Sequence, residues 1–479
     1  MIEAKLPVDR STQDALEIWQ AGVDAVRADR VVRDSLRWDG KTLEVQGQRI
    51  DLSKAQRLII VGAGKATAGM LEGLLEVIDQ GGIASRRIET LGWINVPEGV
   101  VPGSLQVSLD RKSLAYCKSG VTICQARPSG VNEPTPRVMA GTQAILEQVE
   151  QAGPQDAVIF LLSGGGSALL CAPCEWLSLE TKVAITRALS SRGAGIQELN
   201  AVRRALSQVK GGGLARRCKA GHLITLVISD VLGDPLEMIG SGPTVLEPAP
   251  DPKLAAEILQ RFAFGEFSDV VSKLLQIGST DTSDKCVSEA MAQAFVLANN
   301  QTAVQAAMVH ARELGYQAQG RSEVEAQGSA DRVGVEFAER VLGMPSRSVW
   351  ISGGEPTVVL ADASIRGQGG RNQHLVLSAA RAMLVDPKFA EFRRSLGDGR
   401  ESIALVSGGT DGEDGTTQAA GAWIDGPWLS DQDSGDGISE LEDAIRRCDS
   451  YRVFERTGNL IQTGPTHTNV CDLRVLLRG

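Results

Sequence analysis

The sequence predicts an α/β protein with two domains, the first built on a parallel sheet and the second a smaller mixed α/β domain. The chain has 479 residues, which is too long for one ordinary hydrophobic core. Short apolar runs such as Ala157–Leu162 end in glycine-rich turns and lead into helical patterns. This alternation is typical of βαβ units, whose parallel strands are buried on both faces.

The elements of the first domain, assigned to residues 1–255, follow from hydrophobic periodicity. Apolar spacing predicts two helices within 11–37, a small hairpin within 43–52 and a core strand over Arg57–Val61. A helix runs from there to about Ile78, and the following segment to about Pro136 has no regular pattern. The remaining predicted elements are helices at 138–152 and 179–189 and strands at 157–162 and 223–229.

The second domain is assigned to residues 256–479, with the extreme termini free to pack on the other domain. A proline-rich segment at 248–252 precedes it. Its predicted elements are helices at 253–263, 302–314 and 375–384 and strands at 295–298, 349–352 and 403–407.

Composition excludes several classes of function. The net charge is −10, and no basic patch is interleaved with aromatic residues, so nucleic-acid binding is not expected. No apolar run reaches the length of a membrane helix, and the first twenty residues lack a signal-peptide pattern. Cys171 and Cys174 form the one close cysteine pair, without the second pair that zinc would need. We expect a cytoplasmic protein with reduced thiols; a homodimer is left open.

Three predicted strands end in Ser-Gly-Gly. The first continues as Ser163-Gly164-Gly165-Gly166-Ser167, and the others begin at Ser352 and Ser407. Glycine leaves the backbone N–H groups free to approach an anion closely. The repeated motif therefore predicts anion-binding loops.

The turn Gly62-Ala63-Gly64-Lys65-Ala66-Thr67 matches neither standard nucleotide motif. A dinucleotide fingerprint needs glycine at Thr67, and a P-loop needs glycine at Ile59 and a hydroxyl at Ala66. What remains is Lys65 at the start of a helix, where a cation and free N–H groups suit an anion. A tight turn with a solvated lysine is the alternative.

Other charged residues stand at strand ends and helix starts. Asp230 and Asp234 follow a strand, where a carboxylate can hold Mg²⁺ or accept a hydroxyl proton; a helix cap is the alternative. Asp411 lies in an acidic turn that suits Mg²⁺ or solvent equally. Arg203, Lys210 and Arg371 are cations beside glycine-rich turns. Together with the glycine loops, these groups indicate phosphoryl transfer, whereas no serine-hydrolase motif is present.

The ordered motifs resemble the class II glycerate 2-kinase family, whose second domain is called MOFRL and some of whose members are named hydroxypyruvate reductase. The motifs in the first domain are VGAGKA at 61–66, LLSGGGSALL at 161–170, LNAVRRALSQVKGGGLA at 199–215, ISDVLGDP at 228–235 and GSGPTV at 240–245. Those in the second are ISGGEPTV at 351–358, GGRNQ at 369–373, TDGEDG at 410–415, AAGA at 419–422 and GPTHTNVCDL at 464–473.

The resemblance implies a Rossmann-like first domain, a MOFRL region at about 346–460 and an active site in the cleft between the domains. It implies transfer of the γ-phosphoryl group of ATP, with Mg²⁺, to the 2-hydroxyl of D-glycerate. Lys65, Asp230 and Arg371 would be catalytic, and Asp230, Asp234 and Asp411 would hold the metal. The cofactor would contact Gly62, Gly64, Gly353, Gly354, Glu355 and Asn372. Substrate or phosphate would contact Ser163, Gly164, Gly165, Gly166, Ser167, Asn200, Arg203 and Lys210.

The sequence departs from the family pattern in three places. Glu133 and Arg137 replace the outer residues of an H-P-x-P-D motif, Ser329 stands in a G-E-A motif, and His374 replaces a glutamate after G-R-N-Q. A related hydroxy acid is therefore an alternative substrate. A reductase that uses NAD(P)H and hydroxypyruvate, and a metabolite-binding protein without catalysis, are the alternative functions.

Overall fold

A computed structural model describes residues 9–81, 88–106, 108–110, 115–131, 133–263, 265–278 and 292–479. They form two compact units. The N-terminal unit spans Ala28–Leu297; the C-terminal unit consists of Ala298–Gly479 together with the described residues before Ala28.

The first part of the chain contains eleven strands and ten helices among the described residues. In order they are α1 (Arg10–Ala25), α2 (Ala28–Ser35), β1 (Leu36–Trp38), β2 (Thr42–Val45), β3 (Gln48–Asp51), β4 (Arg57–Ala63), α3 (Thr67–Gly81), β5 (Glu89–Pro97), β6 (Ser108–Asp110), β7 (Ala115–Lys118), β8 (Val121–Arg127), α4 (Pro136–Glu150), β9 (Asp156–Ser163), α5 (Gly166–Leu169), α6 (Leu179–Ser191), α7 (Ile196–Ala205), α8 (Gly213–Arg217), β10 (His222–Ile228), α9 (Pro252–Phe262), α10 (Ser268–Ile277) and β11 (Ala292–Ala298).

The main sheet of the N-terminal unit has the strand order β11-β10-β9-β4-β5-β8-β7-β6. Strands β10, β9, β4, β5 and β8 run parallel, and β7 and β6 extend the sheet antiparallel. Alternate side chains of β4 and β9 pack against α4, and the intervening ones are buried as well. Burial on both faces explains why these strands are almost continuously apolar.

The second part of the chain begins with a long helix, which strand β12 (Gln317–Ser322) follows. Its elements are α11 (Asn300–Glu313), β12, α12 (Ala330–Leu342), β13 (Ser348–Gly354), α13 (Arg371–Val385), α14 (Ala390–Gly397), β14 (Ile403–Gly409), β15 (Gly421–Asp425), α15 (Gly426–Gln432), α16 (Gly435–Arg447), α17 (Ser450–Thr457), β16 (Leu460–Ile461) and β17 (Asp472–Arg478).

The sheet of the C-terminal unit is mixed, with the order β12-β13-β17-β14-β15-β16. The final strand, β17, inserts antiparallel between β13 and β14. Helices α1 and α11 cover one face of this sheet, and α12, α13, α16 and α17 cover the other. The predicted fold class, with two α/β domains and a mixed sheet in the second, is confirmed.

The division of the chain differs from the predicted boundary at residues 255 and 256. Helices α9 and α10 pack with α6 and α7 around a shared apolar cluster, so they belong to the N-terminal unit. Strand β11 is the edge of that unit's sheet rather than the start of the second domain. Helix α1 joins the C-terminal unit because its apolar face packs beside α11 on β14 and β17.

The segment predicted to be irregular between Ile78 and Pro136 contains β5, β6, β7 and β8, so that prediction is wrong. Strand β5 carries Gly92 in its middle, where a Cβ would lie 1.8 Å from the carbonyl oxygen of Ile60. Strand β8 ends in buried polar residues, Gln125 and Arg127. Both features interrupt the apolar runs by which buried strands are detected.

Two further findings concern predicted elements and membrane insertion. The predicted hairpin forms as β2 and β3, to which β1 adds a third strand. None of the described helices has the length and apolarity that crossing a bilayer requires.

Trp19 anchors α1 to the C-terminal unit. Its side chain is fully buried, and its indole N–H donates to the Leu473 carbonyl at 3.0 Å. We expect Trp19→Ala to destabilise this unit by roughly 3–5 kcal/mol, because a large cavity opens. Hydrogen exchange should then accelerate in β14 and β17 and stay unchanged in β4 and β9. Glu17→Ala, at an exposed position of the same helix, is the control. Faster exchange in β4 and β9 alone would contradict the assignment of α1.

Candidate functional site

Three predicted site segments follow the carboxyl ends of neighbouring strands in the sheet of the N-terminal unit. Strands β4, β9 and β10 are adjacent and parallel, so the turns holding Lys65, the triglycine loop and Asp230 follow neighbouring strand ends. The Lys65 backbone N–H donates to the Gly164 carbonyl at 2.8 Å. Carboxyl ends of parallel strands are where open α/β sheets bind ligands.

Gly62 and Gly64, in the turn that holds Lys65, are needed for close packing between these loops. Gly64 has φ of 149°, and a Cβ there would lie 2.1 Å from the Ser163 hydroxyl oxygen. A Cβ on Gly62 would lie 2.7 Å from the methyl group of buried Thr67, the residue that breaks the dinucleotide fingerprint. Close packing therefore accounts for Gly62 and Gly64, and their contact with a cofactor stays a prediction.

A small cavity of about 90 Å³ lies beside the triglycine loop. We call it the anion pocket and define it by Ser167, Lys182, Arg203 and Lys210; Glu133 lines it as well. Ser167 comes from α5, Lys182 from α6 and Arg203 from α7. Three cationic side chains from three segments therefore converge on one cavity.

Lys210 fixes the wall of the anion pocket. Its amine donates to the Ser167 carbonyl at 2.9 Å, the Ser167 hydroxyl at 2.8 Å and the Gly240 carbonyl at 3.2 Å. Ser241 continues the network, because its hydroxyl donates to the Asn200 side-chain oxygen at 3.1 Å. Burial lowers the pKa of Lys210. Lys210 and Asn200 thus hold loops together, and their direct contact with a ligand stays a prediction.

Lys182 and Arg203 differ from Lys210, because these two cations have no partners among the described residues. Within the described ranges of the chain, neither side chain has a hydrogen bond or an ion pair. Lys182 is only 6% exposed, and burial lowers the pKa of Arg203. Burying a charge without a counterion costs several kcal/mol, roughly. An anion in the cavity would supply the missing counter-charge.

Arg127 is a further cation close to the triglycine loop. A Cβ on Gly165 would lie 3.4 Å from Arg127 Nη2 and 3.4 Å from Lys65 Cγ. Gly165 also has φ of 75°, which favours glycine. Lys65 and Arg127 therefore flank the bare backbone of this loop.

In the C-terminal unit, Arg371 is held between two carboxylates. Its Nε and Nη2 donate to the two oxygens of Asp472 at 2.7 and 2.9 Å, and Nη1 lies 3.0 Å from Glu355. Burial alone would lower the pKa of Arg371, but Asp472 and Glu355 outweigh it and raise that pKa. The predicted catalytic arginine is therefore already paired in this structure.

The register of β17 explains the Ser-Gly-Gly motifs of β13 and β14. Asp472 lies opposite both Gly354 and Gly409, and Arg474 lies opposite both Ser352 and Ser407. Arg474 is fully buried, and its Nη1 donates to the Ser352 hydroxyl at 3.4 Å. The two motifs thus flank a buried acid and base on the strand between them, while the third motif belongs to the other unit.

Asn372 and the Gly353–Gly354 pair also have partners inside the protein. The Asn372 amide is fully buried; it accepts from Ser407 at 2.6 Å and donates to Asp414 at 3.2 Å. A Cβ on Gly353 would lie 1.5 Å from the Asn300 side-chain oxygen. Their assignment to a cofactor rests on the resemblance and stays a prediction.

A larger cavity, about 570 Å³, lies beside Arg371 in the same unit. It is lined by Glu355, Arg366, Gly370, Arg371 and His374, among others. Its volume falls within the range of sites that bind nucleotide-sized ligands. We call it the C-terminal cavity.

The predicted metal ligands are not gathered into one cluster. The part of the chain that the structure describes holds no group of three or more His, Cys, Asp or Glu side chains arranged for a metal. Asp230 and Asp234 follow β10, whereas Asp411 follows β14 in the other unit. Magnesium commonly uses one or two protein carboxylates plus substrate phosphates, so a single carboxylate such as Asp230 fits that chemistry.

Each departure from the family pattern has a defined partner. Glu133 forms a bidentate ion pair with Arg187, and Arg137 lies 3.0 Å from Glu98. His374 Nε2 lies 2.9 Å from Asp331, an ion pair if the ring is protonated. Ser329 caps α12 by accepting the Arg332 N–H.

Sequence reasoning missed Lys182, Arg127 and Asp472. Lys182 had a detectable signal, because it shares the buried stripe of α6 with Ile185 and Leu189, at positions i, i+3 and i+7. A lysine in an apolar stripe needs an explanation. Arg127 and Asp472 depend on strand pairings that the sequence pattern did not reveal.

Comparisons with known proteins agree with this architecture. The family described as a domain of unknown function, DUF4147, matches residues 14–276, and the MOFRL family matches residues 348–472. The chain is 31% identical to the D-glycerate 2-kinase of Thermotoga maritima, over 96% of each chain. It is 35% identical to an Agrobacterium vitis protein that carries the name hydroxypyruvate reductase, over 88% of this chain and 100% of that one.

A solved structure supports the same assignment. The crystal structure of glycerate kinase from Thermotoga maritima superposes with a TM-score of 0.74 and 31% identity, covering 97% of this chain and 99% of that chain. Fold and motifs thus define a two-domain α/β protein with a MOFRL domain. The chain belongs to the class II glycerate kinase family.

Asp414 provides a test of the buried network around Asn372. Its carboxylate accepts the backbone N–H groups of Asn372 and Gln373 at 3.0 and 2.9 Å, and burial raises its pKa to about 6. Ionising a carboxyl whose folded pKa is raised costs stability, so the cost is absent below pH 4 and complete above pH 6.

We therefore expect the stability of the wild type, relative to Asp414→Asn, to fall by roughly 3 kcal/mol between pH 4 and pH 7. The difference between their thermal midpoints across this range is the measurement, because the asparagine does not titrate. A difference that stays constant with pH would contradict the raised pKa.

Proposed function

We propose that the protein is an ATP-dependent kinase that phosphorylates the 2-hydroxyl of D-glycerate or a closely related hydroxy acid. The products would be 2-phosphoglycerate and ADP. The observation that carries this proposal is the anion pocket, in which Lys182 and Arg203 lack partners among the described residues. The family relatives named for glycerate kinase activity support the same reaction.

The acid substrate fits the anion pocket by charge and size. The cavity of about 90 Å³ is much smaller than the C-terminal cavity of about 570 Å³, which favours a small acid over a nucleotide as its ligand. Lys182 and Arg203 would bind its carboxylate, and the Ser167 hydroxyl would contact it as well. Lys210 would position Ser167 rather than bind the acid, because its amine already has three acceptors.

ATP is assigned to the C-terminal cavity, whose volume suits a nucleotide. Glu355, which was predicted to bind the cofactor, and Arg371, which was predicted to be catalytic, both line that cavity. Arg371 keeps its positive charge throughout the physiological pH range, since its pKa is raised. The prediction that the active site lies in a cleft between the domains stays a prediction.

Phosphoryl transfer needs positioning and charge neutralisation more than covalent chemistry. Lys65 and Arg127 flank Gly165, so they would neutralise charge on the transferring group at the triglycine loop. Asp230 would orient the acceptor hydroxyl and accept its proton. Magnesium, if held by Asp230 together with the phosphates, would neutralise further charge. The metal-binding roles of Asp234 and Asp411 rest on their positions after β10 and β14 and stay predictions.

Reduction of hydroxypyruvate with NAD(P)H is the alternative, favoured by the name of the Agrobacterium relative. Against it, Gly62 and Gly64 are accounted for by packing against Thr67 and Ser163, and Thr67 stands where a dinucleotide fingerprint has glycine. The phosphoryl-transfer proposal requires no such fingerprint.

Purified protein should form ADP from ATP and Mg²⁺ only when D-glycerate is present. NMR of the phosphorylated product distinguishes the 2-phosphate from the 3-phosphate. Oxidation of NADH with hydroxypyruvate, in the absence of ADP formation, would overturn the kinase proposal and support the reductase.

The variant Lys182→Met tests whether Lys182 binds the substrate or only stabilises the fold. We expect the KM for D-glycerate to rise roughly 10–100-fold, since about 1.4–3 kcal/mol of charge-assisted binding is lost. The thermal midpoint should hold steady or rise, because the variant removes a buried charge that has no counterion in the described part of the chain. Lys219→Met, at an exposed position of the same unit, is the control. An unchanged KM with a lower midpoint would show that Lys182 is structural.

A further inference from the structure

We infer that Glu133 and Arg187 select the substrate of the anion pocket by requiring that the end of the acid remote from its carboxylate is uncharged. This inference rests on the proposed binding of a hydroxy acid in that pocket. It assigns a role in specificity to two residues outside the predicted site.

Glu133 lies in the wall of the cavity that also holds Lys182 and Arg203. Among the described residues that line this cavity, it is the one carboxylate. Arg187 binds it with two parallel hydrogen bonds, Nε to Oε1 at 2.6 Å and Nη2 to Oε2 at 2.5 Å. This two-point geometry fixes the carboxylate in place.

Both partners are attached to elements that already form the pocket. Arg187 is on α6, five residues after Lys182 and next to Thr186, which also lines the cavity. Glu133 precedes the start of α4, where the Thr135 hydroxyl donates to the Ala126 carbonyl at 2.7 Å and its oxygen accepts the Val138 N–H. Both residues of the Glu133–Arg187 pair are therefore attached to helices, Arg187 within α6 and Glu133 just before α4.

The arrangement gives the pocket two chemically different parts. Lys182 and Arg203 supply positive charge that suits one carboxylate. The Glu133–Arg187 pair has no net charge, because hydrogen bonding to Arg187 keeps the pKa of Glu133 low and the carboxyl ionised. The oxygens of Glu133 can accept hydrogen bonds from a hydroxyl, but they repel a second carboxylate.

The substrate class that fits is a small monocarboxylic acid whose other carbons carry hydroxyl groups. A hydroxy dicarboxylate of the same length is the class that the pair excludes. D-glycerate and tartronate form a matched pair for this test, since each has three carbons and a 2-hydroxyl and they differ in the group on the third carbon.

The experiment measures binding of D-glycerate and tartronate by isothermal titration calorimetry without nucleotide. The wild type should bind D-glycerate more tightly. In Glu133→Gln, which leaves the Arg187 charge unpaired, the ratio of the two affinities should shift toward tartronate by roughly tenfold. In Arg187→Gln, both acids should bind more weakly, because the Glu133 charge is no longer compensated.

The double variant, Glu133→Gln with Arg187→Gln, restores a neutral wall, so its affinity ratio should lie between those of the wild type and Glu133→Gln. Glu266→Gln is the matched control, because Glu266 pairs with Arg192 of the segment after α6 at an exposed position outside the cavity. It should leave both affinities unchanged.

An affinity ratio in Glu133→Gln that stays within twofold of the wild type would overturn the inference, as would failure of the wild type to bind either acid. ADP formation with D-glycerate is measured separately. Normal ADP formation by the wild type, together with an unchanged affinity ratio in Glu133→Gln, would support the kinase proposal and contradict the role of Glu133 and Arg187 in specificity.

Discussion

The N-terminal unit buries positive charge for which the described residues of the chain supply no counterion. Lys182 and Arg203 converge on a cavity with Lys210, whose amine is used to join Ser167 to Gly240. Protein interiors normally pair or neutralise such charges. Under the proposed function, an anion that enters the cavity would offset the cost of burying these charges, so the pocket would be organised for its ligand before binding.

In the C-terminal unit, by contrast, carboxylates of the protein itself balance the charge of the partly buried arginine at the cavity. Arg371 is paired with Asp472 and Glu355, and burial, which would raise the pKa of Asp472, is outweighed by Arg371, so that pKa is lowered. The positive charge there is balanced before any ligand arrives. This contrast supports the proposal that the first unit binds the small acid and the second a magnesium-bound nucleotide, whose net charge is partly neutralised.

The parallel strands, the Lys65 turn and the triglycine loop could be predicted because each depends on local sequence: an apolar run followed by glycines. Strand β5 could not, since Gly92 interrupts its apolar run to allow contact with Ile60. The role of Asp472 was equally hidden, because it follows from insertion of the last strand between two strands more than 60 residues upstream. Lys182 could have been predicted from the sequence, since a lysine in the buried stripe of a helix is rare unless an anionic group binds it.

The departures from the family pattern argue for a modified site rather than a site in decay. Random loss of function would replace charged residues without regard to their neighbours. Here Glu133 faces Arg187, and Arg137 faces Glu98. Exposed ion pairs of this kind add little to stability, about 0–1 kcal/mol, so stability alone gives weak reason for the matching. At a cavity whose two cations, Lys182 and Arg203, have no partner among the described residues, the proposed selection of the anion would give this matching a functional reason.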